Sequence, residues 1–237
     1  KRLNRGKVVK QEKLTHDITL LELELDEAPV FKAGQYAKLS LEFLPNISRA
    51  YSFASKPSAD NTRVSFFIRH VPNGAFSSVV QQEDLLKANI ELQGPFGEFY
   101  LRESDKPMLM IAGGSGLAPI VSILEQAKEK GCQRPVTVLL GARTQGDVYG
   151  LKEIENIAED WPALFEFEQI LSEETNDSSW QGMKGYIGDH LYNYASFNSQ
   201  VYLCGPPLMI DDCIEKLIDL GISPTEMFAD RFVTNSK

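Results

Sequence analysis

Cysteine and histidine are scarce in this chain of 237 residues. Cys132, Cys204 and Cys213 are scattered and make no disulfide framework, which points to a reducing, cytoplasmic setting. Three thiols also fall short of the four closely spaced thiolates that hold an iron–sulfur cluster. His16, His70 and His190 form no metal-ligand spacing, so no metal is expected on this chain. No apolar run has the length of a membrane helix, no secretory signal is visible, and no membrane association is expected. Positive charge is outnumbered: 24 Lys and Arg against 33 Asp and Glu give a formal net charge of −9, a poor balance for nucleic acid. A locally basic start (Lys1, Arg2, Arg5, Lys7, Lys10) reads as a solvated terminus or as a docking patch for an acidic partner. The chain opens on Lys1 rather than Met, as a processed or trimmed segment would.

What is present is a soluble globular composition, 43% hydrophobic and 24% charged, long enough for one large domain or two ordinary ones. The first hundred or so residues read as short strands and turns. Candidate strands are 7–10, 18–25, 36–43, 50–55, 64–70 and 90–93, broken at Gly34, Pro45-Asn46, Pro72-Asn73-Gly74 and Gly94-Pro95. One short serine-capped helix starts near Phe76-Ser77-Ser78. Six such strands suggest a small antiparallel barrel. Near residues 102–106 the pattern changes to alternating strand and helix. Strands are expected at 107–112, 136–140, 164–171, 200–204 and 226–230, with helices at 117–130, 151–160, 188–194 and 208–220. That alternation implies a parallel sheet covered on both faces. The expected architecture is therefore two domains, an antiparallel β-barrel over 1–103 and an α/β parallel-sheet nucleotide-binding domain over 104–237.

Four segments carry candidate chemistry. AGGSGLAPI (112–120) follows a buried strand and opens a helix, where free backbone N–H groups and the helix dipole favour a phosphate. Gly114-x-Gly116-x-x-Pro119 departs from the strict dinucleotide fingerprint, and Gly141-Ala142-Arg143 stands where a ribose-binding acid is expected. A tight structural turn fits the loop too; its place after the first parallel strand favours a dinucleotide. LCGPPLM (203–209) ends another parallel strand and should face that loop, although Cys204 alone also reads as a small buried hydrophobe. NGAFSS (73–78) is an ordinary helix start or a second phosphate cradle. In RAYSFASKP (49–57) strict alternation puts Arg49, Tyr51 and Phe53 on one face. That fits an exposed sheet edge, or a surface for something flat and anionic, since the guanidinium fork suits phosphate. FADRFV (228–233) is a last strand with core phenylalanines, or an aromatic pair flanking Asp230 in the crevice.

Taken in order, FKAGQYAKL, RAYS, FFIRHVPNGAFSS, GPFGEFYL, AGGSGLAP, GART, W-x-G-x-x-G, LCGPP and FADRF span nearly the whole chain. The set resembles the ferredoxin–NADP reductase superfamily. More narrowly, it resembles the flavin module of NADH-dependent reductases serving aromatic-ring dioxygenases and methane or phenol monooxygenases. The resemblance implies a Greek-key FAD-binding barrel. It implies FAD contacts from Arg49 (diphosphate), Ala50, Tyr51 (isoalloxazine ring) and Ser52 (near the flavin N5). Phe67, Ile68 and Arg69 would contribute largely backbone contacts, and Gly74, Ala75, Phe76 and Ser77 would close on the diphosphate. Ser115 and Phe232 complete the flavin set. Gly113, Gly114, Gly116, Pro119, Arg143, Cys204, Gly205, Pro206 and Pro207 would hold NADH. Ser52, Cys204 and Asp230 are the candidate catalytic residues; Asp230 stands where the family commonly has glutamate. Ser172-Glu173-Glu174 would repel a 2′-phosphate, so NADH is expected over NADPH. The implied partners are a [2Fe–2S] ferredoxin, fused upstream or separate, and a terminal oxygenase. A free-flavin reductase and a non-catalytic nucleotide-sensing module on the same scaffold are the alternatives.

Overall fold

The computed structural model describes residues 2–233; Lys1 of the basic start lies outside them. The first half is a six-stranded antiparallel sheet of β1 (Arg2–Lys13), β2 (Ile18–Leu25), β3 (Tyr36–Leu41), β4 (Arg49–Ser52), β5 (Arg63–Arg69) and β6 (Asn89–Phe96), in the order β4-β3-β6-β1-β2-β5. A bridge between Phe53 and Phe66 joins the two outer strands and nearly closes the barrel. Inside it, Leu21, Leu23, Leu39, Leu41, Phe66 and Ile90 are almost wholly buried. The alternation of ITLLELEL produces this: every second residue meets the core and the glutamates face outward. β1 is far longer than the expected 7–10. Asn4 and Val8 are its buried residues, so it is held by pairing with β2 and β6 rather than by an apolar pattern.

The short helix α1 (Ala75–Gln82) is present, but a serine does not cap it. Gly74 occupies the cap without a side-chain bond, and the Ser77 hydroxyl instead accepts from Val71 N at 3.0 Å. Phe76 and Val80 plug the barrel end.

The second half is a parallel sheet of β7 (Met108–Gly113), β8 (Val136–Ala142), β9 (Phe165–Leu171), β10 (Met183–Lys184), β11 (Gln200–Gly205) and β12 (Met227–Arg231), in the order β10-β9-β8-β7-β11-β12. Helices α2 (Leu117–Glu129) and α3 (Leu151–Ala158) cover one face and α4 (Pro207–Asp219) the other. The expected helix near 188–194 is 3-10 over Ile187–Asn193, and β10 is too short to leave a periodic signal. β7 is buried throughout, as its continuous apolar run requires. Its Met110 and Ala112 join a core that reaches Ile18, Phe67 and Phe99, so the halves meet across an apolar interface, while the barrel interior forms a core of its own.

The connection between the sheets is fastened as well. Arg102 N donates to Tyr202 Oη at 2.8 Å, and Tyr202 donates to Gln200 at 2.8 Å. Buried Arg134 donates to Lys106 O at 2.7 Å and to Gln200 at 2.8 Å. On the far side Ser122 donates to Ser55 O at 2.7 Å, and Lys56 meets Glu129. Strand order reverses between β7 and β11, so their carboxyl ends open a crevice where such sheets bind ligands.

Candidate functional site

Two cavities meet at this switch point. The first, about 480 Å³, lies between the barrel and the end of β12. β4 supplies its wall: Arg49, Ala50, Tyr51 and Ser52 all line it. Strict alternation would have turned Ser52 away, but β4 ends at Ser52, and the chain leaves for its bridge to β5. Tyr51 and Ser52 therefore share the cavity. Arg49 Nη1 donates to Ser48 O at 2.8 Å, while its Nη2 is buried and makes no hydrogen bond among the described residues. A buried guanidinium nitrogen without an acceptor is costly, and an anion would satisfy it. Burial pushes the Tyr51 phenol well above its ordinary range, against the pull of Arg49.

The opposite walls come from both halves. Phe67 and Arg69 of β5, and Gly74, Phe76 and Ser77 around the start of α1, line the cavity. Ser115, Asp230 and Phe232 close it from the α/β half. Phe232 N donates to Gly205 O at 2.8 Å, which extends the β12 pairing and lays the aromatic over the cavity. Burial pushes the Asp230 carboxyl up to about 6. Ile68 points into the barrel core instead, and Ala75 lies outside the lining. Tyr36, Lys38, Ser48, Val71, Ala118 and Arg231 line it without having been singled out by the sequence. The motif FKAGQYAKL holds two of them, but no local pattern shows that β3 pairs beside β4.

The second cavity, about 270 Å³, opens over the carboxyl ends of β7, β8 and β9. Gly113, Gly114, Arg143 and Pro206 line it, together with Tyr149, Tyr186 and Met209. The other glycines of the motifs pack loop on loop. A Cβ on Gly116 would stand 2.2 Å from Cys204 O. Gly205, at φ +134°, would put a Cβ 2.5 Å from Gly113 O. Pro119 is buried within α2, and Pro207 starts α4. The Cys204 side chain is fully buried between Ala112 and Asp230 in the sheet register, and burial raises its thiol well above the ordinary range. It lines neither cavity.

The partition between the cavities is thin. Phe67 faces the first and Tyr149 the second, edge to face with ring centroids 5.2 Å apart. Tyr149 Oη donates to Gly114 O at 2.7 Å, which fixes the glycine loop. Arg69 borders both cavities, and the barrel also contributes Asp17 and Ile18 to the second.

Comparison with known proteins agrees with this layout. The family model described as "Oxidoreductase FAD-binding domain" matches residues 5–100, and "Oxidoreductase NAD-binding domain" matches 110–215. The chain is 39% identical over 226 residues to the xylene/toluene monooxygenase electron transfer component XylA of Pseudomonas putida, covering 95% of this chain and 64% of that protein. It is 35% identical to the naphthalene 1,2-dioxygenase system ferredoxin--NAD(P)(+) reductase component of Pseudomonas putida, covering 98% of this chain and 69% of that protein. The chain thus spans about two thirds of these relatives' length. Among solved structures, a ferredoxin reductase in carbazole 1,9a-dioxygenase superposes with a TM-score of 0.88 at 29% identity, covering 98% of this chain and 70% of that one. The Amycolatopsis cytochrome P450 reductase GcoB gives 0.89 at 29% identity, covering 100% and 71%. With both halves matched in order, and 98% of this chain aligned at 35% identity to 69% of a relative, the chain belongs to the ferredoxin–NADP reductase family, among the FAD- and NAD-binding modules of oxygenase electron-transfer components.

Proposed function

We propose that this chain is a reductase module that takes electrons from NADH at a bound FAD and delivers them to a [2Fe–2S] ferredoxin-type acceptor of an oxygenase system. One observation carries the reading: two cavities stand back to back across the Phe67–Tyr149 partition, and the first holds a buried guanidinium nitrogen with no partner among the described residues. The residues fit FAD. Arg49 would take the diphosphate with its free Nη2, beside the Gly74–Ser77 turn; Tyr51 would stack on the ring. FAD supplies the conversion of a two-electron hydride into single electrons.

The remaining roles belong to the protein's own groups. Ser52, buried at the end of β4, would hydrogen-bond the flavin N5 edge. Phe232 would shield the ring from water, and Asp230, its carboxyl pushed up to about 6 by burial, would hold a proton into mildly acidic pH. Gly113, Gly114, Arg143 and the Cys204–Pro207 loop would seat the dinucleotide, with Cys204 meeting the nicotinamide when the tail moves aside. NADH is favoured over NADPH because Arg143 already lies near acidic groups: its guanidinium is 4.0 Å from each of Asp17, Asp147 and Glu173. The boundary between an FAD-binding domain and an NAD-binding domain would fall at 103/104. Three free cysteines support a reducing, cytoplasmic setting. Acceptor choice is tested by NADH oxidation with a [2Fe–2S] ferredoxin and with free flavin. Faster turnover with ferredoxin supports the reading; turnover with free flavin alone makes the chain a flavin reductase.

A further inference from the structure

The turn between β1 and β2 carries His16 and Asp17, which none of the cofactor loops accounts for. It is built rigidly. Thr15 Oγ1 accepts from Asp17 N at 3.2 Å and from Ile18 N at 3.0 Å, and donates to the Asp17 carboxylate at 3.0 Å. His70 N donates to Asp17 O at 2.7 Å, and Gln81 donates to His16 O at 2.9 Å, so β5 and α1 both hold the turn.

From this position the turn crosses to the other half. His16 Nε2 lies 2.7 Å from Asp147 Oδ1, a hydrogen bond spanning 131 residues of sequence. Asp147 is fixed on its own side: its Oδ2 accepts from Thr144 N at 3.0 Å and Thr144 Oγ1 at 2.9 Å. Burial works to raise the Asp147 carboxyl, but the bonds from His16 and Thr144 and the charge of Arg143 outweigh it and hold it low. Asp17 reaches toward both rim arginines, 3.7 Å from Arg69 Nε and 4.0 Å from Arg143 Nη2. Arg143 O accepts from Glu173 N at 2.8 Å, but its guanidinium makes no hydrogen bond among the described residues, and the acids 4.0 Å away direct it by charge. Asp17, Arg69, Arg143 and Asp147 all line the second cavity, whereas His16 stands behind them and largely exposed.

We propose that His16 is a positioning residue of the dinucleotide site: by fastening the barrel turn to Asp147 it sets Asp17, Arg69 and Arg143 around the second cavity and so supports NADH affinity. The inference rests on that cavity being the dinucleotide site. His16 Nε2 also stands 3.8 Å from the Asp17 carboxylate, so one side chain holds both acids that flank Arg143. With those acids held, the rim arginines keep one arrangement toward a pyrophosphate. The charged groups facing His16 are Asp17 and Asp147, with Arg69 and Arg143 behind them and Glu173 on the far side of Arg143.

The test is NADH saturation of flavin reduction in the flavin-loaded full chain, for wild type, His16→Ala and His16→Gln. His16→Ala should raise KM about three- to tenfold, with the effect on KM rather than kcat and with flavin retention unchanged. His16→Gln keeps a donor for Asp147 and should recover most of the affinity. A KM for His16→Ala within twofold of wild type overturns the proposal. So does a His16→Gln variant no better than His16→Ala, or flavin loss in step with the loss of NADH affinity. Wild type that fails to saturate with any nicotinamide dinucleotide contradicts the cavity assignment instead.

Discussion

Arg49 is the residue on which the flavin assignment turns. Its Nη1 donates to Ser48 O, and its Nη2 is buried without an acceptor among the described residues. A charged hydrogen bond is worth roughly 1.5–3 kcal/mol, so Arg49→Ala should weaken FAD binding about ten- to a hundredfold. Isothermal titration of the deflavinated protein measures this, and an unchanged Kd contradicts the diphosphate role. Asp230 gives a prediction in pH. Its carboxyl is pushed up to about 6 by burial, above the 3.8 of a free aspartate. A raised carboxyl favours the folded state when protonated; that contribution is complete below about 3.8 and lost as pH rises through 6. Asp230→Asn should therefore gain stability relative to wild type between pH 5 and pH 8, by about 2–4 °C in Tm of the flavin-free protein. An equal Tm difference at the two pH values would show that Asp230 is not desolvated.

At the scale of elements, the end of β4 and two interlocked loops make the site. Gly205 cannot carry a side chain: its φ is +134° and a Cβ would meet Gly113 O at 2.5 Å. Gly205→Ala should force these loops apart, costing about 2 kcal/mol or more and lowering nicotinamide affinity while FAD stays bound. Thermal melts and NADH titration together check it; NADH affinity equal to wild type would remove the loop from the dinucleotide site. Much of this scale was legible. ITLLELEL and PMLMIA announce an alternating and a fully buried strand, and both formed where expected. The glycine spacing marked the loop after β7 as well. β1 was underestimated because its outward residues are mostly charged and its hold is backbone pairing. Alternation alone turns Ser52 away from Tyr51; the whole of β4 lines the cavity, Ser52 because the strand ends there. His16, Asp17 and Tyr36 escaped notice for a different reason. Their importance comes from neighbours brought close by the fold, as the 131-residue separation of His16 and Asp147 shows.

At the scale of the molecule, the barrel and the parallel sheet are joined by several contacts. An apolar interface, the Arg134–Gln200–Tyr202 network and the His16–Asp147 bond hold the two cavities against a common wall. Fixed proximity of this kind is what hydride transfer between two bound cofactors requires. The account is tested most directly by mixing the purified FAD-loaded chain with NADH or NADPH without oxygen and following flavin absorbance in a stopped-flow instrument. It predicts complete bleaching by one equivalent of NADH, with NADPH at least about tenfold less effective at equal concentration. A protein that binds NADH and stays yellow would contradict it.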